Sequence, residues 1–126
     1  MTATQVHTLQ VFIVEDESML ALLLEDMIIG LGYQVAGFAS RLAEAMSKTA
    51  ELDFDIAVLD VNLDGEVSYP VAQQLQRRGI PFIFATGYGR VGVPQQFDGV
   101  PVLDKPFRQR DLQGAFDEAL ALGDPP

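Results

Sequence analysis

The chain has 126 residues, 48% of them hydrophobic, and no cysteine; this is enough apolar content for one core at the usual size of a single domain, and it excludes disulfides, thiol catalysis and thiolate metal sites. A formal net charge of -10 repels nucleic-acid phosphates and anionic membrane surfaces, so neither is expected as a partner. The pairs Arg77-Arg78 and Arg108/Arg110 read as solvated helix positions rather than a phosphate track.

Residues 1–8 carry neither a basic stretch nor a small-residue cleavage site, so no secretory signal is apparent. A loose N-terminal tail and a cytoplasmic location are expected, with the lone histidine, His7, solvated. The continuous run Val11-Phe12-Ile13-Val14 stops at Glu15-Asp16-Glu17, as a buried parallel strand stops where its carboxyl end opens onto solvent. Met19, Leu20, Leu23, Leu24, Met27, Ile28 and Leu31 then recur at helical spacing, predicting a first helix over 18–31 closed by Gly32. Glu25 and Asp26 interrupt this run, which is too short to cross a bilayer.

A second strand over 33–38 leads to Ser40 as N-cap of a modest helix over 41–49. A third strand over 54–59 ends at Asp60, a helix covers 69–78, and a fourth strand over 81–85 ends at Thr86. In 87–99 the residues Gly87, Gly89, Gly92, Pro94 and Gly99 leave room only for a loop or a short, frayed helix. A short fifth strand over 101–103 runs into Asp104-Lys105, a last helix covers 108–122, and Gly123 begins a C-terminal tail completed by 124–126. Strands alternating with helices predict one doubly wound α/β domain over 9–123, with a five-stranded parallel sheet, helices on both faces and a weak fourth helix.

In such a sheet the crevice lies outside the carboxyl ends of the strands, where Glu15, Asp16, Asp60, Thr86 and Lys105 are due to meet. Three converging carboxylates require either a retained proton or a hard divalent cation. Mg²⁺ suits this site, with Asp16, Asp60 and a backbone carbonyl near Asn62 among its oxygen ligands. A phosphoryl group arriving at one carboxylate would be neutralised by the metal, the Lys105 ammonium and the Thr86 hydroxyl, and an aspartate can act as the nucleophile. Taken singly, each residue has an ordinary structural reading: Glu15-Asp16-Glu17 as caps of the next helix, Thr86 as a loop-entry hydroxyl, Lys105-Pro106 as a plain turn. Their delivery by four separate strand ends argues for a joint role.

Together, Glu15-Asp16, Asp60, Thr86 and Lys105-Pro106 resemble the receiver domain of bacterial two-component response regulators, over nearly the whole chain. The resemblance implies a flavodoxin-like fold, phosphorylation at Asp60, and Mg²⁺ (with Mn²⁺ as a substitute) held by Glu15, Asp16, Asp60 and the Asn62 carbonyl. It also makes Thr86 the switch hydroxyl and Lys105 the phosphoryl contact, supported by Gly87 and Pro106. Pro81-Phe82-Ile83-Phe84-Ala85-Thr86-Gly87-Tyr88 is similar to the "FAT GUY" subgroup, often found in alphaproteobacteria beside unorthodox histidine kinases.

The chain departs from the common receiver pattern in three places: Asp64 replaces a loop proline, Val102 stands where an aromatic switch residue is usual, and 87–99 replaces a robust fourth helix. The implied role is a stand-alone regulator accepting phosphate from a sensor histidine kinase or histidine phosphotransfer protein, signalling by protein contact or serving as a phosphate sink. It implies no turnover beyond self-phosphorylation and autodephosphorylation. The alternatives are a phosphatase forming an aspartyl phosphate, since Asp60-Val61-Asn62-Leu63-Asp64-Gly65 faintly resembles the dehalogenase-type nucleophile motif, and a receiver fragment of a longer protein.

Overall fold

The computed structural model describes residues 8–90 and 92–123; the expected tails, with His7, fall largely on 1–7 and 124–126 and to that extent lie outside the described residues. Five strands, β1 (Gln10–Val14), β2 (Gln34–Ala39), β3 (Ile56–Asp60), β6 (Phe82–Thr86) and β7 (Val102–Asp104), pair in parallel in the order β2-β1-β3-β6-β7. This is the doubly wound α/β fold anticipated from the alternation of elements. Two very short strands, β4 (Asn62–Leu63) and β5 (Glu66–Val67), form a separate antiparallel hairpin. The helices are α1 (Ser18–Gly30), α2 (Leu42–Glu51), α3 (Tyr69–Arg78) and α4 (Gln109–Gly123). Among the described residues no helix is long and apolar enough to cross a membrane.

The central strands are apolar at consecutive positions because both faces are covered. Val11, Ile13, Ile56, Val58, Ile83 and Leu103 pack with Leu24 and Ile28 of α1 and Leu112 and Phe116 of α4. Phe12, Val14, Ala57, Leu59, Phe82 and Phe84 turn the other way, onto Ala45 of α2 and Val71, Ala72 and Leu75 of α3. α3 carries Pro70 in its first turn and ends at Gly79, whose φ of 69° is the left-handed cap that glycine adopts without a Cβ clash.

Three local expectations change. Ser40 does not cap α2: Arg41 occupies the N-cap position, and the Ser40 backbone N–H instead donates to Glu44 Oε1 at 2.8 Å. Glu17 sits at the N-cap of α1 without a side-chain cap bond, and its own backbone N–H donates to Glu15 Oε2 at 3.2 Å. Among the described residues, the segment after Thr86 contains only a 3₁₀ turn, Gln95–Phe97, as helical structure, as its glycines foretold, but it is tied to the core. Phe97 is fully buried, its ring 5.4 Å from that of Phe84 and 5.7 Å from that of Tyr69. The Tyr69 hydroxyl donates to the Gly92 carbonyl at 3.1 Å, and the Arg90 guanidinium donates to the carbonyls of Phe97 and Val100.

Candidate functional site

β1, β3, β6 and β7 all end on the same edge of the sheet, and the polar residues that terminate them form one cluster. Asp60 is the last residue of β3, paired across to Ala85 of β6, and is only 8% exposed. Glu15, directly after β1, is 4% exposed, with its backbone N–H donating to the Ala39 carbonyl of the β2 edge at 3.0 Å. Asp16 follows in the turn to α1. One carboxylate oxygen from each of Glu15, Asp16 and Asp60 lies within 4.8 Å of the others.

Lys105 crosses from the end of β7 to join them. Its Nζ lies 3.0 Å from Glu15 Oε1 and 3.3 Å from Asp60 Oδ2, while its backbone N–H donates to the Thr86 carbonyl at 2.9 Å. The Lys105–Pro106 peptide bond is cis. Thr86 ends β6, one residue beyond the partner of Asp60, and is 5% exposed; its hydroxyl oxygen accepts the Tyr88 N–H at 3.1 Å. Gly87 leaves open space beside it: a Cβ there would meet no heavy atom within 4 Å.

Burial and the neighbouring Glu15 carboxylate make Asp60 reluctant to ionise. Burial, then the neighbouring Glu15 charge and a hydrogen bond with Glu15, push its carboxyl up to about 7, with Lys105 and the Asn62 N–H pulling the other way. Burial would lower the Lys105 ammonium, but its hydrogen bond to Glu15 and the charge of Asp60 outweigh that and raise it. Burial pushes Asp16 up, yet hydrogen bonds from Glu15, Asp60 and the Asp64 N–H bring it below its ordinary value. Three carboxylates meet one ammonium here, and a divalent cation with oxygen ligands fits that imbalance. The clustered carboxylates are therefore able to bind a metal.

The residues singled out in the sequence thus largely converge. Glu15, Asp16, Asp60 and Lys105 are in mutual reach, with Thr86 on the adjacent strand end. Asn62 starts β4, donating its backbone N–H to Asp60 Oδ1 at 3.3 Å, while its side-chain Oδ1 accepts the Gly65 N–H at 2.8 Å and so is engaged in the turn. Val102 lies in β7, half-buried against the core face that contains Phe84 and Phe97.

Arg41 escaped the sequence reading, and Asp64, noted there only as a departure in the loop after Asp60, gains partners that were not foreseen. The Asp64 N–H donates to Asp16 Oδ2 at 3.1 Å, and the Asp64 carboxylate meets Arg41 Nη1 at 2.6 Å. The available signal was the Asp64-Gly65 dipeptide, a hairpin-turn signature with two left-handed residues, here at φ 52° and 90°.

Comparison with known proteins agrees with this geometry. The family model described as response regulator receiver domain matches residues 11–117. Response regulator protein TmoT of Ectopseudomonas mendocina is 29% identical over 117 residues, covering 89% of this chain and 53% of the relative. Nodulation protein W of Bradyrhizobium diazoefficiens is 32% identical over 110 residues, covering 83% and 48%; the chain spans about half the length of these curated relatives. The solution structure of SdrG from Sphingomonas melonis Fr1 superposes with a TM-score of 0.81 at 40% identity, over 90% of this chain and 97% of SdrG.

Proposed function

The chain belongs to the response regulator receiver family, and from that premise we propose that it is a phosphorylation switch whose acceptor is Asp60. Receivers of this family are signalling modules of two-component systems rather than classical enzymes. The observation that carries the assignment is the meeting of Asp60 with the Lys105 ammonium at 3.3 Å inside a cluster of three carboxylates.

Asp60 Oδ attacks phosphorus as the donor's bond to phosphorus breaks, leaving an acyl phosphate on the β3 end; attack by water later releases inorganic phosphate and returns the free acid. Lys105 is placed to pair with a phosphoryl oxygen, and the Thr86 hydroxyl, whose oxygen accepts the Tyr88 N–H, keeps its own proton to donate to another. Glu15, Asp16, Asp60 and the Asn62 carbonyl would hold Mg²⁺, or Mn²⁺ in its place, which supplies positive charge to the incoming phosphoryl oxygens.

The donor we propose is a phosphohistidine on a sensor kinase or phosphotransfer protein. α1 supports this reading. Its face beside the site exposes Met19, Leu22 and Leu23 at 75%, 56% and 49%, and an apolar cavity of about 230 Å³ between Leu20, Leu23, Leu24, Pro106 and Phe107 adjoins Glu15 and Lys105. A helix apolar on both faces calls for a partner on the outer one. Signalling then proceeds by protein contact, with the module acting as a switch or as a phosphate sink.

The test is incubation with acetyl phosphate and Mg²⁺, followed by intact mass. One phosphoryl group on the wild type and none on Asp60→Asn is expected; a phosphoryl group on Asp60→Asn, or continuous hydrolysis of a generic phosphate ester, overturns the reading.

A further inference from the structure

A charge pair, Arg41 and Asp64, stands at the rim of this site, and its role rests on the reading of Glu15, Asp16 and Asp60 as a cation-holding centre. Asp64 occupies a left-handed turn position, φ 52°, between β4 and β5, where a short polar side chain is tolerated better than most. Its N–H is bonded to Asp16 Oδ2 at 3.1 Å, which anchors the residue alongside the three carboxylates and makes its own carboxylate a fourth negative charge at their border. Arg41 approaches from the opposite side, from the turn between β2 and α2, and sets Nη1 2.6 Å from Asp64 Oδ2. Asp16, Ser40, Arg41 and Asp64 together line a cavity of about 220 Å³, so the ion pair and one of the three carboxylates share its wall.

As a stabilising bridge the pair contributes little, because its side chains are 68% and 66% exposed. As charges fixed beside a doubly charged ion, each has twice the leverage that it has on a single charge. We propose that Arg41 and Asp64 set the divalent-cation affinity of the cluster in opposite directions, Asp64 strengthening it and Arg41 holding it down. Any contact that draws Arg41 away from Asp64 then tightens cation binding at the acceptor site without touching a metal ligand.

Mg²⁺ titration by calorimetry at low ionic strength tests this on the wild type, Arg41→Ala, Asp64→Asn and the double variant. Arg41→Ala is expected to tighten Mg²⁺ binding by roughly three-fold and Asp64→Asn to weaken it by a similar factor, with the double variant near the wild type. Both effects should shrink in concentrated salt, where the screening length falls to about 3 Å at 1 M. Metal-free urea midpoints separate this from a merely structural role, since each single variant breaks the same bridge and moves the midpoint the same way. Wild-type binding with single variants that are unchanged, or that shift affinity in one common direction, overturns this inference alone. A wild type that binds no Mg²⁺ overturns the site reading and the inference together.

Discussion

Asp60 is held where its ionisation is costly, and this has a measurable sign. Its carboxyl is raised from 3.8 to about 7 in the folded chain, so between those values the native state retains a proton that the unfolded chain has released. Stability from this residue therefore declines as pH rises from about 4 to about 7 and stays low above that. In EDTA, Asp60→Asn should be no less stable than the wild type at pH 5 and more stable at pH 8, by on the order of 2 kcal/mol; parallel urea midpoints across the range would contradict it. The position of Asp60 was readable because an acid abruptly ends an apolar strand. Its company was readable because Glu15, Thr86 and Lys105 end the other strands of one parallel sheet. Arg41 was not, since its role depends on a turn that brings Asp64 within 2.6 Å across 23 residues, and no periodicity encodes that meeting.

At the level of elements, the strands and helices follow from hydrophobic patterning, and the misplacements have local causes. β3 begins at Ile56 rather than at Phe54, because Phe54, though apolar, packs its ring 5.0 Å from that of Phe12 from outside the strand. The 87–99 segment reads as loose from its glycines, yet one aromatic without helical or strand spacing secures it. Phe97→Ala should cost about 3–5 kcal/mol and strip amide-exchange protection from the residues around Gly92 and Val100, while α1 amides keep theirs relative to the global limit. Protection unchanged in that segment would mean that the Arg90 and Tyr69 hydrogen bonds suffice. Gly79→Ala, forcing a Cβ into the left-handed cap of α3, should cost about 1 kcal/mol in the same urea assay.

For the molecule as a whole, a net charge of -10 opposes compaction, and three of its acids meet in the acceptor cluster. Millimolar Mg²⁺ should raise the melting temperature beyond NaCl of matched ionic strength, by the equivalent of about 2.7 kcal/mol at 100-fold over its dissociation constant. Asp16→Asn should remove most of that excess, leaving only the general screening that NaCl also provides. The sheet divides the interior into two apolar layers, and one of them carries Tyr69, Phe82, Phe84 and Phe97 in edge and tilted contacts. Phe84 lies two residues before Thr86 on β6 and points to that same layer. Aromatic rings bend the local magnetic field, so the methyl groups of Val71, Leu75, Val100 and Val102, which belong to this layer, sit inside a native field sensor. A small rotation of one ring after an event at Thr86 would displace their resonances, giving an unlabelled optical-free readout of the switch from within its own core.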